Sequence, residues 1–256
     1  MTEPRPEPAG VVVAGPAGAP SIVFVHSTRL TGAMWTAQQA ELSDEFRTIA
    51  IDLPAHGARA GEPFTLDGAA DVLAAAIRDH ATGGRAVVVG LSLGGYVAMV
   101  LATREPALVR GLVLSGATAE PAGARSLAFL AFASLLERVA AKRFDRINAW
   151  FFRTRYPPGL AEPIIAGGFW SKGGAEAVHA IAGERYLPLL AAYPGTTLIL
   201  NGERDLIFRL SARTFAAAAV DARRLRLAGA THLANLDRPR AFSEAVRRFA
   251  RSLPAD

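Results

Sequence analysis

Cysteine is absent from the 256 residues, which excludes a disulfide scaffold, a thiolate metal site and a cysteine nucleophile. Lysine is almost absent as well: Lys142 and Lys172 stand alone, so nearly all of the 28 basic side chains are arginine, scattered among 23 acids. The net charge of +5 raises the question of nucleic acid. A phosphate-binding face needs clustered charge, and the densest groups (Arg223, Arg224 and Arg226; Arg247, Arg248 and Arg251) are small, so no nucleic-acid partner is expected. Long apolar runs are also missing. SLAFLAFASLL, from Ser126 to Leu136, is bounded by Arg125 and Glu137 and falls far short of the ~20 residues a bilayer span requires. The opening MTEPRPEPAG carries acids and prolines and no apolar h-region, so neither a signal peptide nor a membrane partner is expected and the location expected is cytoplasmic.

What is present fits a folded domain: 51% of residues are apolar and 20% charged, enough for a sizeable core. The length implies one large domain, or one domain with an insertion. Apolar runs of strand length, VVVA (11–14), SIVFVH (21–26), RTIAID (47–52), AVVVGLS (86–92), LVRGLVLSG (108–116), TTLILNG (196–202) and ARRLRLAG (222–229), alternate with helix-period segments. Most are continuous rather than alternating, as expected of parallel strands covered on both faces. Leu66, Ala70, Leu73 and Ile77 recur at helical spacing. So do Phe242, Val246, Phe249 and Leu253, with Pro239 in a first turn where proline is tolerated. Strand alternating with helix predicts an open α/β sheet with right-handed crossovers, whose ligands bind beyond the carboxyl ends of the strands.

From Thr118 to Tyr193 the alternation stops. An apolar helix (126–141), an aromatic stretch (Trp150, Phe151, Phe152, Tyr156), a Pro-Pro-Gly turn and a further helix follow. So long an interval without regular structure is improbable, and a helical insertion lying over the strand ends is expected.

The strongest local signal is VVVGLSLGGYVAM, residues 87–99. Gly90-Leu91-Ser92-Leu93-Gly94 has the G-x-S-x-G form between a strand and a helix. Glycines on either side remove Cβ atoms that would collide in a strained turn, so the Ser92 hydroxyl is presented at the sheet edge. The N–H of Leu93 and the positive end of the following helix then point to where an oxyanion develops. A serine nucleophile needs a base, and the base an orienting acid. Of five histidines, His232 follows the last strand on the same sheet edge. His26 and His56 also lie beyond strand ends, His80 ends a helix and His179 falls in the insertion. NGERDLIF (201–208) offers Glu203 and Asp205 as acids, in the chain order serine, acid, histidine of one known triad arrangement.

From Val11 to the C-terminus the chain resembles the α/β-hydrolase family, in the group with a helical cap between the sixth and seventh strands. The resemblance rests on the strand-end HS where the family has HG, DLPAHG (52–57), GLSLGG, the NGERD loop and ATHLANLDRP. It implies an α/β-hydrolase fold with a mostly parallel open sheet, helices on both faces, a core of residues 1–117 and 194–256, and a cap of residues 118–193. It further implies Ser92 as nucleophile, His232 as base, Asp205 as acid with Glu203 the weaker candidate, and the backbone N–H groups of Thr28 and Leu93 as the oxyanion hole. His56 is structural in the family, and His26 is expected to be a structural hydrogen-bonder. Ser27 stands where the family has glycine, which a negative φ would permit and a positive φ would oppose.

The serine at the elbow argues against similar dehalogenases and epoxide hydrolases, which use aspartate there. The leading expectation is a serine hydrolase acting on an ester or lactone. A C–C hydrolase or biosynthetic tailoring enzyme with the same triad, a perhydrolase, and a non-catalytic small-molecule receptor are the alternatives. Aromatic side chains at Phe129, Phe132, Trp150, Phe151, Phe152, Phe169 and Trp170 are expected to wall a mainly apolar pocket. Trp150, Phe151 and Phe169 are taken as substrate-binding together with Arg29, whose guanidinium suits a substrate carboxylate. No metal or organic cofactor is expected. The partner is a small-molecule substrate, and the chain is a monomer or homodimer.

Overall fold

The computed structural model describes residues 10–138 and 141–254, the side chains of 141 and 142 excepted. The first nine residues, and residues 139 and 140 of the apolar helix expected over 126–141, therefore lie outside the described residues.

Seven strands form a single sheet: β1 (Val11–Ala14), β2 (Ser21–Val25), β3 (Arg47–Ile51), β4 (Ala86–Leu91), β5 (Val109–Ser115), β6 (Thr196–Gly202) and β7 (Asp221–Leu227). Their order is β1-β3-β2-β4-β5-β6-β7, parallel throughout except for β1 on β3. Continuous β-branched and aliphatic sequence is what buries every residue of β2 and β4. The expectation of two covered faces fails at the edge. In β7 most of the strand faces solvent, including Arg223, Arg224 and Arg226, and charge there discourages edge-to-edge pairing.

Helices α1 (Thr36–Leu42), α2 (Leu66–His80) and α3 (Leu93–Arg104) follow β2, β3 and β4. Between β5 and β6 come α4 (Ser126–Arg138), α5 (Ala141–Arg155), α6 (Pro158–Gly167), α7 (Ser171–Ile181) and α8 (Tyr186–Ala192). The chain closes with α9 (Leu206–Ala218), the short α10 (Ala234–Asp237) and α11 (Pro239–Arg251). One sheet face packs on α2, α3, α8 and α9 through Leu73, Tyr96, Tyr186 and Phe215. The other packs on α1 and α11 through Leu42, Phe242 and Phe249, with Trp35 between Phe24 and Phe242.

The helical interval thus follows the fifth strand of this sheet, where the seven strand-length runs of the sequence place it. Its last helix, α8, belongs to the core layer: the Tyr186 ring lies 4.5 Å from that of Tyr96 of α3, tilted by 49°, and is fully buried. Among the described residues no helix is long and apolar enough to cross a membrane.

The strand order reverses at β2, since β3 lies on one side of it and β4 on the other. The crevice beyond the carboxyl ends of β2 and β4 is therefore the topological switch point, where open α/β sheets bind ligands. The loop Ser27–Arg29 and Ser92 open directly into it.

Candidate active site

Ser92 sits between β4 and α3 at φ 53° and ψ −115°, a backbone conformation that a residue bearing a Cβ rarely adopts. The turn is held by Ser92 N–H donating to Ser115 O at 2.8 Å and by Gly95 N–H donating to Ser92 O at 2.9 Å. The glycines are sterically required. A Cβ at Gly90 would lie 2.3 Å from Gly94 O, and one at Gly94 would lie 2.2 Å from Val25 O.

His232 and Asp205 are in direct contact, Nδ1 to Oδ2 at 2.8 Å. Asp205 stands just before α9, makes no side-chain capping bond to it and is buried, whereas the imidazole is partly exposed. Because the carboxylate can only accept, Nδ1 carries the proton and Nε2 is left as the acceptor. Ser92 and His232 line one cavity of about 280 Å³. Among the described residues they are not hydrogen-bonded to each other, a looseness common before a ligand tightens such a site. Glu203, the other acid, is engaged elsewhere: its Oε2 accepts from Gly229 N–H at 2.9 Å, which holds its carboxyl below the ordinary range.

Leu93 opens α3, where the first N–H groups have no intrahelical acceptor. Thr28 lines the cavity, and its N–H is also unpaired among the described residues. Ser27 does not have positive φ; that conformation falls two residues later, on Arg29 at φ 68°. Glycine is therefore not needed at 27, where the serine is buried and its N–H contacts Met34 Sδ at 3.3 Å.

Two buried imidazoles hold this loop. His26 Nδ1–H donates to Ser27 O at 2.8 Å while its Nε2 accepts from Leu53 N–H at 2.9 Å. His56 Nδ1–H donates to Pro54 O at 2.9 Å while its Nε2 accepts from Arg29 N–H at 3.2 Å. Each arrangement requires a neutral ring, and burial pushes His26 down to about 4 and His56 down to about 3.

The aromatic wall is narrower than the sequence suggests. Phe132, Phe151, Phe152 and Phe169 line the cavity, with Phe152 stacked on Phe169 at 5.6 Å. Trp150, expected on this wall, is 66% exposed and does not line the cavity. On α5 the cavity-facing residues are Asn148, Phe151 and Phe152; position 150 is turned about 200° from 148, onto the outer face. Phe129 packs toward the core, and Trp170 donates Nε1–H to Gly167 O on the rim of another depression.

Four contributors escaped the sequence reading. Gly116, at φ 56°, leaves room for the histidine: a Cβ there would lie 2.7 Å from His232 Cε1. Asn201 fixes that turn by accepting from Gly116 N–H at 2.9 Å. Phe208 stacks on His232 at 4.8 Å. Asp237 accepts from Thr231 N–H at 2.6 Å, and also from Tyr156 and Arg155 of the helical interval, tying the His232 loop to it. Asp237 and Asn201 stand in the ATHLANLDRP and NGERD stretches that the sequence marks, whereas nothing local assigns Gly116 or Phe208 to the site. A larger concavity of about 560 Å³ lies between α9 and β7, lined by Arg209, Arg213, Arg224 and Arg226 and by none of Ser92, His232 and Asp205. Among the described residues no group of three or more histidine, aspartate or glutamate side chains could hold a metal ion.

Residues 22–245 match the family model described as the alpha/beta hydrolase family. The chain is 27% identical to 3-oxoadipate enol-lactonase 1 of Acinetobacter baylyi, covering 99% of this chain and 97% of that one. It is 36% identical over 101 residues to an AB hydrolase superfamily protein of Gibberella zeae, a match spanning only 36% of that relative. Among solved structures, a thermophilic esterase of Thermogutta terrifontis superposes with TM-score 0.78 and 27% identity, covering 94% of this chain and 92% of that one.

Proposed function

Since the chain belongs to the alpha/beta hydrolase family and is an ester-hydrolysing enzyme, we propose that it cleaves a carboxylic ester or lactone through an acyl-enzyme formed on Ser92. The observation that carries this reading is the buried Asp205 held 2.8 Å from His232 in the cavity that also contains Ser92. His232 Nε2 takes the Ser92 hydroxyl proton as Oγ attacks the carbonyl carbon, and Asp205 stabilises the imidazolium that results. The tetrahedral oxyanion is received by the N–H groups of Thr28 and Leu93, the latter at the positive end of α3. His232 then protonates the departing alkoxide, or the ring oxygen of a lactone. Water repeats the sequence to release the acid.

The substrate is medium-sized and largely apolar or aromatic near the carbonyl, because phenylalanines at 132, 151, 152 and 169 wall a cavity of about 280 Å³. Helices α4 to α7 act as the cap over it. The test is turnover of a panel of aryl esters and lactones. Ser92→Ala should lose at least ~10³-fold in kcat; unchanged activity in that variant refutes the assignment.

A further inference from the structure

Arg29 is fixed along its whole length except at its tip. Its N–H donates to His56 Nε2 and its C=O accepts from Trp170 N–H at 2.9 Å. Nε donates to Ser171 Oγ at 3.3 Å, and the guanidinium carbon lies 4.3 Å from the centre of the Phe144 ring. Helix α7 approaches closely enough to do this because position 174 is glycine: a Cβ there would lie 2.4 Å from Arg29 Cγ. The backbone meanwhile holds a left-handed φ of 68°, a strain that persists only where its surroundings enforce it.

The two terminal nitrogens are left without a hydrogen-bond partner among the described residues, and Nη2 is shut off from solvent. A guanidinium does not shed its charge, and leaving its donors buried and unpaired is costly. Asp145 of α5 is the acid whose charge acts on it, yet it forms no ion pair with Arg29, and its own Oδ1 is buried without a partner. Arg29 lines the same cavity as Ser92 and directly follows Thr28. A guanidinium held rigid by its stem, with Nη1 unpaired and not buried beside a carbonyl-binding site, offers a charge-assisted donor that suits a carboxylate.

We propose that Arg29 is an anion subsite of this cavity, and that the substrate carries a free carboxylate in addition to its ester or lactone carbonyl. The proposal rests on reading Ser92 as the nucleophile of the same cavity, and it narrows the substrate class to acidic esters and lactones.

Two substrate sets test it in the intact chain: half-esters of linear dicarboxylic acids of increasing length, and butyrate esters of hydroxy acids. Each is compared with the isostere whose free carboxylate is replaced by a carboxamide. The acid of at least one pair should exceed its amide about tenfold or more in kcat/KM at neutral pH, the scale of a charge-assisted hydrogen bond. The advantage should shrink in Arg29→Gln and persist in part in Arg29→Lys. Equal kcat/KM for acid and amide in every wild-type pair overturns the proposal. So does an equal loss on acid and amide in both Arg29→Gln and Asp145→Asn, which would make Arg29 a tether for α5. Should the Arg29 variants fail to fold, calorimetric titration of Ser92→Ala with the same pairs gives a readout independent of turnover. Tighter binding of the acids supports the subsite and equal binding refutes it. Retained turnover in Ser92→Ala with tighter binding of the acids would refute the nucleophile while leaving the subsite standing.

Discussion

At the scale of single residues, the site depends as much on atoms that are missing as on those that react. Gly116 contributes no side chain, yet the position of the His232 ring against Asp205 depends on that vacancy. Gly116→Ala should lower kcat on an aryl ester by about 10²-fold, the cost of displacing a catalytic group by roughly an ångström, and circular dichroism will show whether the fold survives. Asp205→Asn should lose about 10³- to 10⁴-fold in kcat, because the amide no longer enforces the Nδ1–H tautomer. Glu203→Gln serves as its control, expected to keep kcat within about threefold, since Glu203 braces the Gly229 turn rather than the imidazole. Ser92, His232 and Asp205, which the structure brings together, all stand at positions that motifs in the sequence mark. Gly116 and Phe208 do not, because their contribution exists only once β5, α9 and the His232 loop meet in space.

At the scale of elements, legibility follows how local the cause is. The turn between β4 and α3 is written in GLSLGG, since the nearest clashes that Gly90 and Gly94 avoid are with the turn itself and with β2, while Gly95 makes room for Ala117 beyond β5. The loop after β2 was half legible. The sequence raised the question of φ at Ser27, and the structure moves the left-handed residue to Arg29. In the helical interval the aromatic run Trp150, Phe151, Phe152 has no period to read, so its phase is decided by what α5 packs against. Trp150 ended on the outer face and Phe152 inside. Trp150→Ala should therefore keep kcat/KM within about twofold, as expected for a surface substitution. Phe151→Ala should raise KM severalfold for esters with a long apolar acyl chain and leave acetyl esters nearly unaffected, through lost apolar contact area.

At the scale of the whole molecule, the sheet order sets where chemistry can occur, and two neutral histidines hold the loop at that place. The strand runs predicted the α/β sheet because buried parallel strands need continuous apolar sequence. β7 escaped the rule because it is an edge, and its arginines project into solvent. The His26 and His56 rings lie 5.0 Å apart, both buried and both neutral. Their folded values, about 4 and about 3, lie below the ordinary 6.5. Asp52 and Glu176 oppose the lowering at His56 without reversing it. Between those limits the unfolded chain binds protons that the native chain does not, so stability must fall as pH falls from about 6.5 toward about 3. The expected slope is about 1.4 kcal/mol per pH unit for each imidazole. Urea denaturation across this range measures it, and His26→Asn, which does not titrate, should flatten part of the slope. A slope unchanged in His26→Asn would show that the pair is not its source.

The central claim is that Ser92 is an activated nucleophile in a cavity shared with His232 and Asp205. Labelling the intact protein with a fluorophosphonate and mapping the adduct by peptide mass spectrometry tests it most directly. One adduct is expected, on Ser92, forming far more slowly in His232→Ala and in Asp205→Asn. An unlabelled protein that still hydrolyses esters, or an adduct on any other residue, would contradict it.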